Sequence, residues 1–105
     1  MAQFSVYENK NPDSCEAYPY LLDVQNALLN SLDTRVVIPV AGQSRLLSTP
    51  IERLTPVLTI KKTSHVLLTP QLAAIPAAEL GPFVCDLSEY RPSIIGALDF
   101  LFTGY

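Results

Sequence analysis

Phe100-Leu101-Phe102-Thr103-Gly104-Tyr105 ends the given chain directly behind an apolar helical pattern. Rings, a hydroxyl and a glycine in that order suit a contact surface better than a catalytic pocket, because aromatic side chains are enriched at binding hot spots. A carboxylate is expected beside Tyr105. Side chains able to make or break bonds are sparse elsewhere. His65 is the only histidine. General acid–base work needs a positioned partner, and a metal site needs further His or Cys ligands at suitable spacing. Neither pattern occurs, so His65 reads as a surface or strand-edge residue. Asp23, Asp86 and Asp99 are scattered, with no pair at a catalytic spacing. Asp86 suits a cap on the approach to the helix. Arg45 and Arg53 fall in a long connection and read chiefly as solvated charge, with binding of an acidic segment as the functional alternative. Gly42, Gly81, Gly96 and Gly104 are too dispersed for a phosphate-cradling loop. We therefore expect no catalytic residue, no metal and no cofactor.

Composition narrows the classes further. A chain of 105 residues reads as one domain spanning 1–105. Apolar residues make up 49 % and charged residues 16 %, the latter below the usual ~25 %. A surface so short of charge points to an oligomer. The net charge of −3 argues against direct nucleic-acid binding, which needs clustered Lys and Arg. The first residues lack the basic and apolar regions of a signal peptide, and no apolar run approaches the ~20 residues that span a bilayer. A cytoplasmic protein without a membrane partner is expected. Cys15 and Cys85 are too few for a disulfide framework. Cys85 reads as a small core residue, Cys15 as an exposed free thiol.

These residues need elements to position them. Gln3–Tyr7 alternates, with Phe4 and Val6 on one face, and predicts a first strand. Glu8–Pro19 is rich in turn residues and predicts an exposed loop. Tyr20–Val24 predicts a second strand, Asn26–Thr34 a connection, and Arg35–Val40 a central strand. Pro39 marks an edge, a bulge or a strand end there, since proline cannot donate to a ladder. In the connection Ala41–Pro56, Leu46, Leu47, Ile51 and Leu54 are placed to cover the sheet. Val57–Ile60 and His65–Leu68 predict a hairpin turning at Lys61–Ser64, and Leu72–Ile75 a further strand. Glu79–Asp86 is expected to cross to one helix, about Ser88–Phe102. Ser88 suits its N-cap, Glu89 its positive end, and Pro92 its first turn. Ile94, Ile95, Leu98, Leu101 and Phe102 form its apolar stripe. Gly96 inside that helix implies a close approach by another backbone, such as that of a second protomer. Gly104 suits a left-handed C-cap. The pattern as a whole predicts a small antiparallel, barrel-like sheet capped by a terminal helix.

An ordered series of segments resembles the CcdB toxins of toxin–antitoxin modules. It comprises Gln3-Phe4-Ser5-Val6-Tyr7, Asp23-Val24-Gln25, Val37-Ile38-Pro39, Arg45-Leu46-Leu47-Ser48, Pro56-Val57 with Ile60, Ala74-Ile75-Pro76, Asp86-Leu87-Ser88 and Thr103-Gly104. No single segment is specific; their order along nearly the whole chain is. The resemblance implies a mainly β fold, an SH3-like barrel of short antiparallel strands with a C-terminal α-helix, and a homodimer. It implies no catalysis. The implied action is binding of the A subunit of DNA gyrase and trapping of the gyrase–cleaved DNA complex, relieved by a CcdA-type antitoxin.

By position, the resemblance places the gyrase contact on Asp99, Phe102, Thr103, Gly104 and Tyr105, with a second part on Leu28 and Leu29. The end departs from the Trp-Gly-Ile often found in the family. Here it is Thr103-Gly104-Tyr105, a phenol where the family carries a branched aliphatic. The Glu8–Pro19 loop is longer than in the shortest members, and loops near the family's antitoxin site bear on which antitoxin is recognised. Two other readings stand beside this one. The first is a messenger-RNA-cleaving toxin on a related barrel, for which His65 is the sole candidate base. The second is a non-toxic member that only binds antitoxin.

Overall fold

Short β-branched runs, each ended by turn residues, fold into seven strands in the computed structural model, which describes residues 2–46 and 49–104. The strands are β1 (Ser5–Asn9), β2 (Tyr20–Asp23), β3 (Thr34–Gly42), β4 (Val57–Ile60), β5 (Thr63–Leu67), β6 (Ala73–Pro76) and β7 (Leu80–Asp86). All pair antiparallel in the order β4-β5-β3-β2-β1-β7, and β6 also pairs with β3. The curled sheet is a half-barrel, and helix α1 (Arg91–Thr103) follows it. This is the mainly β, SH3-like barrel with a C-terminal helix that the sequence predicts. Among the described residues no helix is long and apolar enough to cross a membrane.

Alternation along the strands builds the core. Val6, Leu22, Ile38, Val40, Leu58, Ile60 and Leu67 share the inner face, Phe4 joins them from just ahead of β1, and Ile94 of α1 closes over them. The alternate residues Tyr7, Leu21 and Val37 form a second, smaller cluster with Leu80 on the other face. Period-2 spacing sends neighbouring side chains to opposite faces, so β1, β2 and β3 bury apolar groups on both.

Four expectations about strands need correction. The first strand begins at Ser5 rather than Gln3 and runs to Asn9, into the predicted loop, because Phe4 stands at φ 70° ahead of it. Glu79–Asp86 is not a plain crossing: β7 occupies it and pairs with β1 through two register shifts. Gly81-Pro82 masks the strand pattern. Gly81 serves close packing, since a Cβ there would lie 2.6 Å from the Glu8 carbonyl oxygen. Pro39 sits at neither an edge nor a strand end. It lies inside β3, paired opposite Leu21. Its carbonyl accepts from the Leu68 N–H at 3.0 Å, so its backbone polar groups point away from β2. On that side β6 pairing ends at Val37 and β5 pairing begins at Val40. The missing N–H therefore falls in a gap between two ladders. The hairpin turn is also tighter than predicted. Ile60 pairs with Thr63, leaving Lys61 and Lys62 at φ 50° and 64°, the two left-handed positions of a type I′ turn.

The long connection behaves differently from expectation as well. Ile51 is exposed rather than laid on the sheet, Leu46 and Leu54 are half-buried, and Leu47 lies outside the described residues. His65 is buried, not at the surface. Its ring lies 5.3 Å from that of Tyr20, with Nδ1 2.9 Å from the Thr63 carbonyl oxygen. Cys85 is half-buried against the core rather than within it, and Cys15 is half-buried too. Burial and the neighbouring Asp86 carboxylate push the Cys85 thiol above its usual range.

Candidate binding surface at the Leu28 turn and the end of helix α1

The connection between β2 and β3 begins with an Asx cap. Asn26 Oδ1 accepts from the Leu28 N–H at 2.8 Å and opens a 3-10 turn, Ala27–Leu29. Leu28 and Leu29 are apolar residues on a turn that buries neither: Leu28 is 89 % exposed and Leu29 47 %.

A buried polar network holds this turn on the sheet. Arg35 on β3 pairs with Asp23 on β2, Nε to Oδ2 at 2.9 Å and NH2 to Oδ2 at 2.7 Å, and both side chains are almost wholly buried. The guanidinium also donates to Asn30 Oδ1 at 2.7 Å and to the Gln25 carbonyl at 3.4 Å. Asp23 Oδ1 takes the Gln25 N–H at 2.9 Å. Gln25 then bridges in both directions, accepting from the Val36 N–H at 3.0 Å and donating to the Leu29 carbonyl at 3.1 Å. Buried charges persist where they are paired and hydrogen-bonded, and here the bonds to Gln25, Leu29 and Asn30 also fix the path of residues 25–30. Asp23 is thus no scattered carboxylate. Sequence reasoning passes over Arg35 and Gln25. Their signal is a charge inside a β-rich run and an amide beside Asp23.

The second group lies on the last turn of α1. Asp86, not Ser88, caps the approach: its Oδ1 accepts from the Ser88 N–H at 2.7 Å, while the Ser88 side chain makes no cap bond. A 3-10 turn, Ser88–Tyr90, leads into α1 with Pro92 in its first turn. Ile94 and Ala97 are buried, and Ile95, Leu98 and Leu101 half-buried. The stripe thus runs out before Phe102, which is 69 % exposed. Asp99 and Thr103 are exposed, and Thr103 Oγ1 donates back to the Asp99 carbonyl at 2.6 Å. Gly104 takes the left-handed cap conformation, φ 80° and ψ 14°, and its N–H bonds the Phe100 carbonyl at 3.0 Å. Tyr105 lies outside the described residues. Gly96 has nothing within 4 Å of a Cβ position, so no described backbone of this chain approaches it.

Asp99, Phe102, Thr103 and Gly104 therefore share one helix end, while Leu28 and Leu29 sit on a separate turn. Among the described residues no hydrogen bond joins the two groups, and no three His, Cys, Asp or Glu side chains are placed to hold a metal ion.

A half-barrel sheet with one covering helix, displaying an apolar turn and an apolar helix end to solvent, defines a small SH3-like barrel protein. The family model described as CcdB protein matches residues 3–104. The chain belongs to the CcdB family and thereby to the toxins of toxin–antitoxin modules.

Proposed function

We propose that this toxin acts by binding the A subunit of DNA gyrase and trapping gyrase on cleaved DNA, without catalysis of its own. Leu28, Leu29, Asp99, Phe102, Thr103, Gly104 and Tyr105 form the contact. The protein works as a cytoplasmic homodimer, takes no cofactor, and is neutralised by a CcdA-type antitoxin. Exposure is the observation that carries this site. Leu28 and Phe102 are large apolar side chains that the core does not use, at the positions where the family resemblance puts its contact. Such anchors, once covered by a partner, supply much of an interface's binding energy. A ligand that binds only the cleaved state shifts gyrase towards that state by its differential affinity, and gyrase itself performs the bond chemistry. The messenger-RNA-cleaving reading is disfavoured by His65, whose ring is packed against Tyr20 rather than open to a phosphate.

The test is plasmid cleavage with purified gyrase, ATP and supercoiled DNA, stopped with detergent and protease. Linear plasmid is expected with the full chain, and none after deletion of Gly104-Tyr105. That deletion is expected to leave the thermal transition and antitoxin binding in place. A truncated protein that still trapped cleaved DNA would overturn the assignment of the contact. Antitoxin binding by the full chain without any linear plasmid would identify a non-toxic member.

A further inference from the structure

Helix α1 is pinned at both ends by an arginine over a phenylalanine ring. At its start, the Arg91 guanidinium lies 5.4 Å from the centroid of Phe4. At its end the contact runs the other way: Arg53, from the connection before β4, lies 4.9 Å from the centroid of Phe100. Phe100 also supplies the carbonyl that accepts the Gly104 cap bond. The ring under Arg53 and the backbone acceptor of the terminal cap thus belong to one residue.

The connection before β4 is shaped to deliver this guanidinium. The Ile51 N–H donates to Thr55 Oγ1 at 2.7 Å and the Thr55 N–H to the Ile51 carbonyl at 2.8 Å, closing a tight loop. Arg53 stands within it at φ 72°, a conformation unfavourable for any residue with a Cβ. Glycine would suit the backbone better. The arginine is held in a disfavoured conformation and stacks on the Phe100 ring.

We infer that Arg53 is a positioning residue: its guanidinium over Phe100 fixes the last turn of α1 and so sets where Phe102, Thr103 and Gly104 point. The consequence for gyrase rests on the function proposed above; the positioning itself does not.

Arg53→Gly deletes the cation and relieves the backbone together, and Arg53→Lys then tells the two apart. Amide NMR of the 15N-labelled protein should show shifted resonances and faster motion at Leu101–Gly104. The thermal transition should stay level or rise. Arg53→Lys keeps a cation over the ring and should restore much of the wild-type pattern. Unchanged terminal amides in Arg53→Gly, or changes that Arg53→Lys fails to reverse, would overturn the positioning role. In a gyrase-binding titration, Arg53→Gly should weaken the complex about two- to fivefold, the size of a partly exposed cation–π contact. Should wild type fail to bind gyrase, the target assignment falls while the NMR arm still decides the positioning. Loosened amides with unchanged gyrase affinity would overturn the link between this contact and the target.

Discussion

Leu28 and Phe102 are both large apolar side chains left to solvent, and the fold supports them by different means. The Leu28 turn is tied to β2 and β3 through a desolvated network, in which Asp23, Arg35 and Gln25 satisfy one another and the backbone. The Phe102 end is an exposed helix terminus, held by the Gly104 cap and the Arg53 stack. At the turn, the supports are buried and the anchors exposed, so damage to a support is damage to the fold. At the helix end the anchors lie beyond the buried stripe, so their loss should leave the fold nearly untouched.

The sharpest way to break this contrast is Arg35→Ala. It strands the Asp23 carboxylate in the interior and should cost about 3–5 kcal/mol, read as a large drop in the chemical-denaturation midpoint. A loss below about 1 kcal/mol would mean water reaches Asp23 and the two regions are alike. Gln25→Ala comes next. It leaves the Val36 N–H without its side-chain acceptor and should cost about 1–3 kcal/mol. Amide hydrogen exchange should rise at Leu28–Asn30, with α1 protection unchanged. Phe102→Ala tests the other side. Its effect on stability should stay within about 0.5 kcal/mol, while gyrase binding should weaken tenfold or more, as for a hot-spot anchor of about 2 kcal/mol. The smallest effect concerns Cys85. Below the unfolded-chain pKa the thiol is protonated in both states; because folding raises its pKa, the unfolded chain loses its proton first as pH rises and is favoured over the fold until the folded value is passed. Stability should therefore slip slightly in the alkaline range, and Cys85→Ser should remove the slip.

Much of the sheet is legible in the sequence because alternation is a local signal. Val6 faces the core as predicted, Phe4 joins it from a left-handed turn ahead of β1, and the hairpin at β4–β5 falls where β-branched runs flank polar residues. The helix is legible from its three-and-four spacing, and Gly104 from its place after the stripe. β7 is not, because Gly81 and Pro82 break the pattern that periodicity relies on, and only the paired β1 shows why they are tolerated. The candidate site is half legible. Position along the chain points to Leu28, Leu29 and the terminal residues. Their supports Arg35, Gln25 and Arg53 are not evident, since a charged or amide side chain in isolation reads as solvated.

Local chemistry in the sequence determines the strand and helix segments, the caps at Asn26 and Gly104, and the shortage of surface charge. These depend on residues close in sequence or on composition. Pairing across the chain is a tertiary matter. Asp23 meets Arg35 because β2 and β3 are neighbours in register, Pro39 is harmless because two ladders part beside it, and Arg53 reaches Phe100 because a strained loop folds against α1. In each case the decisive partner is remote or the free space is three-dimensional. Burial is set by the assembled fold, and burial is what turns Asp23 and Arg35 from surface charges into the support of a binding turn.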